Sequence, residues 1–308
     1  MKTASVVIVC MNNLKNLLPC IDSIKMHTHK IDYDIWVVAY LFSKENLVKL
    51  RMLHPDVIIV ESNEIRGFSE NNNLALKQLD SKYALVLNDD TLFKEPVLEE
   101  LVDSMNLTPS ADIMGCKMLN GDGSLQSCGK GPSTILDFLL NTASLFNPNK
   151  KKSKYVNQKG LFRSYNCSGA CFIIKNDVLR KIGYFDEYYF FMPEDLALTT
   201  KANDMGYSYY VNSDISLYHL HQQTGSKVIT ATLPAARKGC IHYYSRGNIF
   251  IYYMLALYVY LISFIKSILF FVIGDNVKSK SQWHCVESIF SRKTPKEIFT
   301  KYYLELRK

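Results

Sequence analysis

Paired cysteines are missing from this chain. The eight cysteines stand at positions 10, 20, 116, 128, 167, 171, 240 and 285 with no C-x-x-C spacing, which excludes both a zinc site and the disulfide framework of a small secreted domain. They read as reduced cytosolic thiols. There is no internal repeat and no low-complexity tract, so a solenoid is excluded. No nucleic-acid-binding motif is present either. A leader peptide is not expected: Met1 and Lys2 precede only a short apolar run that closes on Asn12 and Asn13, too short for a secretory signal. Acidic residues are absent between positions 138 and 176, where Lys150, Lys151, Lys152, Lys154, Lys159, Arg163 and Lys175 give +7. Residues 274 to 308 add +4, which leaves −4 on the rest of a chain whose net charge is +7. One basic loop and one basic tail suit phosphates or an anionic membrane surface, although solvated segments account for the same charge. What is present is the balance of a globular protein: 308 residues, 48% hydrophobic and 21% charged.

Patterning predicts an α/β chain. Ser5 to Cys10 is a β-branched run, and Leu14 to Met26 has helical apolar spacing with Pro19 in its early turns. Strands are predicted over Tyr33 to Tyr40, Val57 to Val60 and Tyr83 to Leu87, with helices over Lys44 to Leu53 and Ser69 to Leu79 between them. Such alternation gives a mixed, mostly parallel sheet flanked by helices. Ligands then bind at the carboxyl ends of the strands. Further on, Leu136 to Arg163 reads as a long polar and basic insertion, Ala170 to Ile174 as a strand and Glu194 to Met205 as a helix. Two more strands are predicted, one over Tyr209 to Val211 and one ending near Tyr218-His219.

Three groups of residues could carry chemistry. Asp89 and Asp90 follow a buried strand, and adjacent acids repel unless a cation or hydrogen bonds offset the cost. Mg²⁺ or Mn²⁺ bound together with a diphosphate would do so; Asp-rich turns and caps are the plainer explanation. Glu194 and Asp195 open a helix after the aromatic stretch Tyr184 to Phe191. There a carboxylate among rings gains basicity, whereas a simple helix start also favours acids. His219 and His221 could add an imidazole to a metal, or be structural.

Taken together, these segments resemble a known family. Val6 to Asn12, Arg66-Gly67-Phe68-Ser69-Glu70-Asn71-Asn72-Asn73, Leu87-Asn88-Asp89-Asp90-Thr91, Cys167-Ser168-Gly169-Ala170, Gly183 to Glu187, Glu194-Asp195, Gly206-Tyr207 and Tyr218-His219 stand in the order of family 2 glycosyltransferases. The likeness covers about residues 4 to 250 and is nearest the bacterial rhamnosyltransferase-like branch. It implies a GT-A (Rossmann-like) fold and an inverting transfer of a sugar from a nucleotide diphosphate sugar to an acceptor hydroxyl, in polysaccharide or glycolipid assembly. It implies Asp90 and His219 as metal ligands, with Mg or Mn as the divalent cation. Asp195 is implied as the base and Glu194 as its partner. Asn12, Gly67, Asn73, Asp89 and Gly169 match donor-side positions. The acceptor is expected to be a saccharide or a lipid-linked saccharide. The sequence also departs from the family: Ala39, Tyr40 and Leu41 stand where it usually has an acid and Asn, Met11 replaces a usual Tyr, Ala197 and Lys201 stand where an acid and an Arg are common, and Gly247 occupies a usually bulkier site. A nucleotidyltransferase and a catalytically silent nucleotide-sugar-binding subunit are the alternatives from other classes.

Residues 1–248 are expected to form the transferase domain, and 249–308 a membrane-associating helical segment with a basic tail. Ile249 to Ile273 runs 25 residues with one charge, Lys266. As a helix it reaches about 37 Å, enough for a hydrocarbon core of about 30 Å. Yet Tyr253, Ala256, Tyr260, Ser263 and Ser267 form a less apolar stripe, and basic residues flank both ends. An interfacial or re-entrant helix at the cytoplasmic membrane surface is expected rather than a single span, with a helix buried against the catalytic domain as the alternative.

Overall fold

The structure, a computed structural model, describes residues 1–144, 158–166, 168–220 and 228–307. Cys167, His221 and Lys150 to Lys154 lie outside the described residues. The N-terminal half alternates as expected: β1 (Ala4–Met11), α1 (Leu14–Met26), β2 (Tyr33–Tyr40), α2 (Lys44–Leu53), β3 (Ile58–Ser62), α3 (Phe68–Leu76) and β4 (Tyr83–Asn88). β2 pairs with β1 and β3 with β2, all in parallel register, and β4 lies parallel on the other side of β1. β1 alternates as a strand covered on both faces must. Val6 and Ile8 join one apolar cluster with Leu17, Ile21 and Leu98, while Val7 joins another with Leu76, Val86 and Phe172.

The second half extends this sheet in mixed fashion. After β5 (Thr91–Leu92) and α4 (Val97–Leu107) come β6 (Ile113–Leu119) and β7 (Leu125–Ser127). The order across the sheet is β3-β2-β1-β4-β9-β6-β10-β5, where β9 is Cys171–Lys175 and β10 is Tyr209–His219. β9 runs antiparallel to both β4 and β6, whereas β6 and β10 are parallel. The two strands expected at 209–211 and near 218–219 are a single strand. An irregularity between Asn212 and Ser216 hid its continuity. The expected polar insertion is also corrected at both ends. It opens with helix α5 (Ile135–Ala143), started by a Thr134–Asp137 capping box, and β8 (Leu161–Ser164) pairs with β10.

The remaining helices are α6 (Asn176–Lys181), α7 (Glu194–Asp204), α8 (Ile229–Ser245), α9 (Ile249–Val272), α10 (Asn276–Ser288) and α11 (Pro295–Glu305). α8 packs against α9, α10 and α11. Two buried lysines tie this layer together at helix ends, where carbonyls lack helical partners. Lys238 Nζ donates to Ile289 O and Ser291 O, each at 2.8 Å, beyond the end of α10. Lys266 Nζ donates to Thr142 O at 2.7 Å and Ser144 O at 2.5 Å, at the end of α5. The seven described cysteines are all buried free thiols.

Candidate active site

The site collects where β4 and β10 end and β9 begins. β4 breaks after Asn88 into the Asp89-Asp90 turn, and β5 then pairs back so that Thr91 lies opposite His219. This places His219 Nε2 3.2 Å from Asp90 Oδ1. The tautomer follows from Gln126. Its Nε2 donates to His219 O and to Asn120 Oδ1, both at 3.0 Å, leaving Gln126 Oε1 as acceptor, 2.8 Å from His219 Nδ1. The Nδ1 position therefore carries the proton. Nε2 thus faces the Asp90 carboxylate and lies 3.5 Å from Asn88 Nδ2, and an imidazole nitrogen beside a carboxylate is a pair that a cation can share. This donor set fits a hard or borderline divalent ion. Among the described residues no group of three or more His, Cys, Asp or Glu side chains gathers to hold a metal; a cation held by this pair alone would draw its other ligands from phosphate oxygens and water.

The second carboxylate is reached through β9. Asn88 N donates to Ala170 O at 3.0 Å, which sets the turn before β9 beside the Asp89-Asp90 turn. Gly169, in that turn, donates its N–H to Asp195 Oδ2 at 3.2 Å, and Leu196 N–H donates to Asp195 Oδ1 at 2.7 Å. Both oxygens of Asp195 are thus oriented by backbone. Glu194, beside it, accepts from Met192 N–H. Burial, followed by the Asp195 charge, lifts the Glu194 carboxyl to about 8. Burial likewise lifts Asp89 to about 6, against the lowering effect of the Cys10 thiol at the end of β1.

The segment carrying Glu194 and Asp195 is clamped from two sides by glycines. A Cβ on Gly67 would fall 2.4 Å from Phe190 O and 2.7 Å from its Cα. One on Gly239 of α8 would fall 2.6 Å from Met192 O. Only glycine allows these approaches. Phe68 N–H donates to Phe190 O at 3.0 Å, and Ser69 Oγ donates to Tyr189 O at 3.0 Å.

The structure gives several expected donor-side residues internal partners. Buried Asn73 donates to Phe185 O and Glu187 Oε1 and accepts from Phe185 N–H, so its amide anchors the aromatic loop to α3. Gly67 serves the clamp, and the Gly169 N–H serves Asp195. Asn12, with φ +50°, accepts from Ser43 N–H and Asn46 Nδ2, tying the end of β1 to the start of α2. Asp89, Asp90, Gly169, Glu194, Asp195 and His219 come together through the contacts above. Gln126 and Gly239 were not picked out from sequence. Gln126 is on a short strand that reaches His219 only through pairing of β7 with β6, and no spacing announces it.

The family model for glycosyl transferase family 2 matches residues 5–183. Two Mycobacterium tuberculosis proteins, from strains CDC 1551 / Oshkosh and ATCC 25618 / H37Rv, are each named N-acetylglucosaminyl-diphospho-decaprenol L-rhamnosyltransferase. Each is 25% identical over 189 residues, covering 56% of this chain and 62% of its own. The chain therefore spans about three fifths of the length of these curated relatives. Among solved structures, GalNAc-T7 with UDP, GalNAc and Mn²⁺ superposes with a TM-score of 0.56 at 15% identity, over 73% of this chain and 45% of that one. Mannosyltransferase PcManGT from Pyrobaculum calidifontis, with GDP-Man and Mn²⁺, gives 0.53 at 13% identity, over 99% of this chain and 80% of that one. These likenesses bear out the expected GT-A fold.

Proposed function

Because the chain belongs to glycosyl transferase family 2, we propose that it transfers a sugar, with inversion, from a nucleotide diphosphate sugar to an acceptor hydroxyl. The observation that carries this reading is Asp195, oriented by two backbone N–H groups beside the strand ends that present Asp89, Asp90 and His219. Displacement at an anomeric carbon needs a base on the acceptor face and charge neutralisation on the leaving face. Asp195 takes the acceptor proton. Glu194, its carboxyl raised to about 8, stays protonated at neutral pH and spares Asp195 a second adjacent charge. Asp90 and His219 would hold a Mg²⁺ or Mn²⁺ ion, which when bound would supply charge neutralisation for the departing diphosphate.

The acceptor in this reading is a lipid-linked saccharide, met at the cytoplasmic membrane surface. The relatives' names point to a diphospho-decaprenol acceptor, and α9 supplies a surface suited to lipid. Phe250, Leu257, Leu261, Ile265, Ile268 and Phe271 are exposed along it, while Ala256, Ser263, Lys266 and Ser267 are buried against protein. α9 is long and apolar enough to span by length and composition. Spanning, however, would strip Lys266 from its two carbonyls and Ser267 from Ser279 O, leaving a lysine unpaired in hydrocarbon. An interfacial position keeps these bonds and buries the apolar face. Asp90, Asp195 and His219, all within 1–248, then carry the chemistry, and α9, within 249–308, supplies the membrane-associating face. The test is incubation with a panel of nucleotide sugars and a polyprenyl-diphosphate saccharide, with Mn²⁺ or Mg²⁺. Sugar transfer that stops on chelation supports the reading; nucleotide binding without turnover across the panel refutes it.

A further inference from the structure

The C-terminal helix does not trail from the fold as a free basic tail; it lies across the donor half of the strand ends. Met11 closes β1 and Tyr40 closes β2, and the two are register partners. Met11 and Ile65 pack on a cluster built by Phe190, Ala231, Ala235, Ile298, Phe299, Tyr302 and Tyr303. The Phe299 ring lies 4.3 Å from that of Phe190. At its start α11 is pinned by Lys296, whose Nζ lies 2.6 Å from Glu70 Oε1; the other oxygen of Glu70 accepts from Gly67 N–H at 3.0 Å. At its other end the exposed Arg307 guanidinium sits 4.8 Å from the centre of the buried Tyr303 ring. Tyr40 itself is buried, and its hydroxyl accepts from Arg66 N–H at 3.3 Å. An exposed cation on an aromatic ring, beside the ends of β1 and β2, suits a planar base or ribose.

We propose that α11 is the nucleoside-side wall of the donor site, with Arg307 contacting the nucleoside of a bound nucleoside diphosphate and Tyr303 and Lys296 holding the wall in place. This rests on the donor reading above.

The test is calorimetric binding of UDP, dTDP and GDP, each with Mn²⁺, to the full-length protein and to Arg307→Ala, Arg307→Lys and Lys296→Ala, with thermal melts to confirm folding. Arg307→Ala is expected to weaken the preferred nucleotide about tenfold, the loss of one stacked cation, and Arg307→Lys to recover part of it. In turnover the effect should fall on the donor KM rather than on kcat, with the acceptor KM unmoved. Unchanged or tighter nucleotide binding in folded Arg307→Ala and Lys296→Ala, with binding intact in the parent, overturns the wall while sparing the transferase reading. Failure of the parent to bind any of the three overturns the donor reading, and the wall with it.

Discussion

Replacing Gly67 by alanine tests how the site is positioned without touching any group that does chemistry. The new methyl would lie 2.4 Å from Phe190 O, 2.7 Å from its Cα and 2.9 Å from its carbonyl carbon. All three are backbone atoms, so no side chain can swing aside. Relief to ordinary contact requires the 190 segment to retreat by about 1 Å, and the Phe68 N–H to Phe190 O bond stretches or breaks with it. Overpacking of this kind costs about 1–3 kcal/mol, a fall of a few degrees in Tm for a chain of this size. The larger effect is on rate. The displaced segment leads directly into Glu194 and Asp195, and a misplacement of about 1 Å costs about 10²-fold. Steady-state transfer kinetics beside a thermal melt make the check. A folded Gly67→Ala protein with kcat within about threefold of the parent would refute the claim that this close approach sets the base.

Asp90→Ala should lower transfer by about 10² to 10³ or more, and chelation should do the same to the parent; full activity in EDTA would remove the metal from the account. Glu194 has a folded pKa of about 8 against an ordinary value of 4.5, so the folded state holds this proton where the unfolded chain has lost it, and stability falls as pH rises through that window. Glu194→Gln should therefore gain in Tm over the parent between about pH 5 and pH 8, and a Tm difference that does not change with pH contradicts this. Phe264→Glu and Ile265→Glu together, on the exposed face of α9, should release the protein from liposomes containing anionic lipid with its soluble-acceptor activity intact; unchanged sedimentation with the liposomes counts against an interfacial α9.

Strand and helix alternation through Leu87 was legible because the patterns there are local: β-branched runs buried on both faces, then spaced apolar residues. Asp89, Asp90, Glu194 and Asp195 stand out in the sequence because they follow a strand or open a helix, where carboxylates face the crevice or the helix dipole. What failed to show was non-local. Ile135 to Ala143 is an amphipathic helix, but it sits at the edge of a basic stretch that read as one polar loop. The strand from Tyr209 to His219 reads as two because an irregularity interrupts its pattern. Gly169 and Asn73 were expected at the donor; the partners that the structure gives them, Asp195 and Phe185, reach them only through tertiary packing. The same holds for α11, whose tyrosines and basic residues read as a tail until Phe190 and Met11 are seen beneath them.

The most direct test of the central claim is a paired measurement on Asp195→Asn: nucleotide and Mn²⁺ affinity by calorimetry, and transfer under saturating donor. The account predicts affinities close to those of the parent with transfer reduced by about 10² to 10⁴, the contribution of a positioned base. Transfer retained in Asp195→Asn but lost in Glu194→Gln would contradict it and exchange the roles of the two carboxylates.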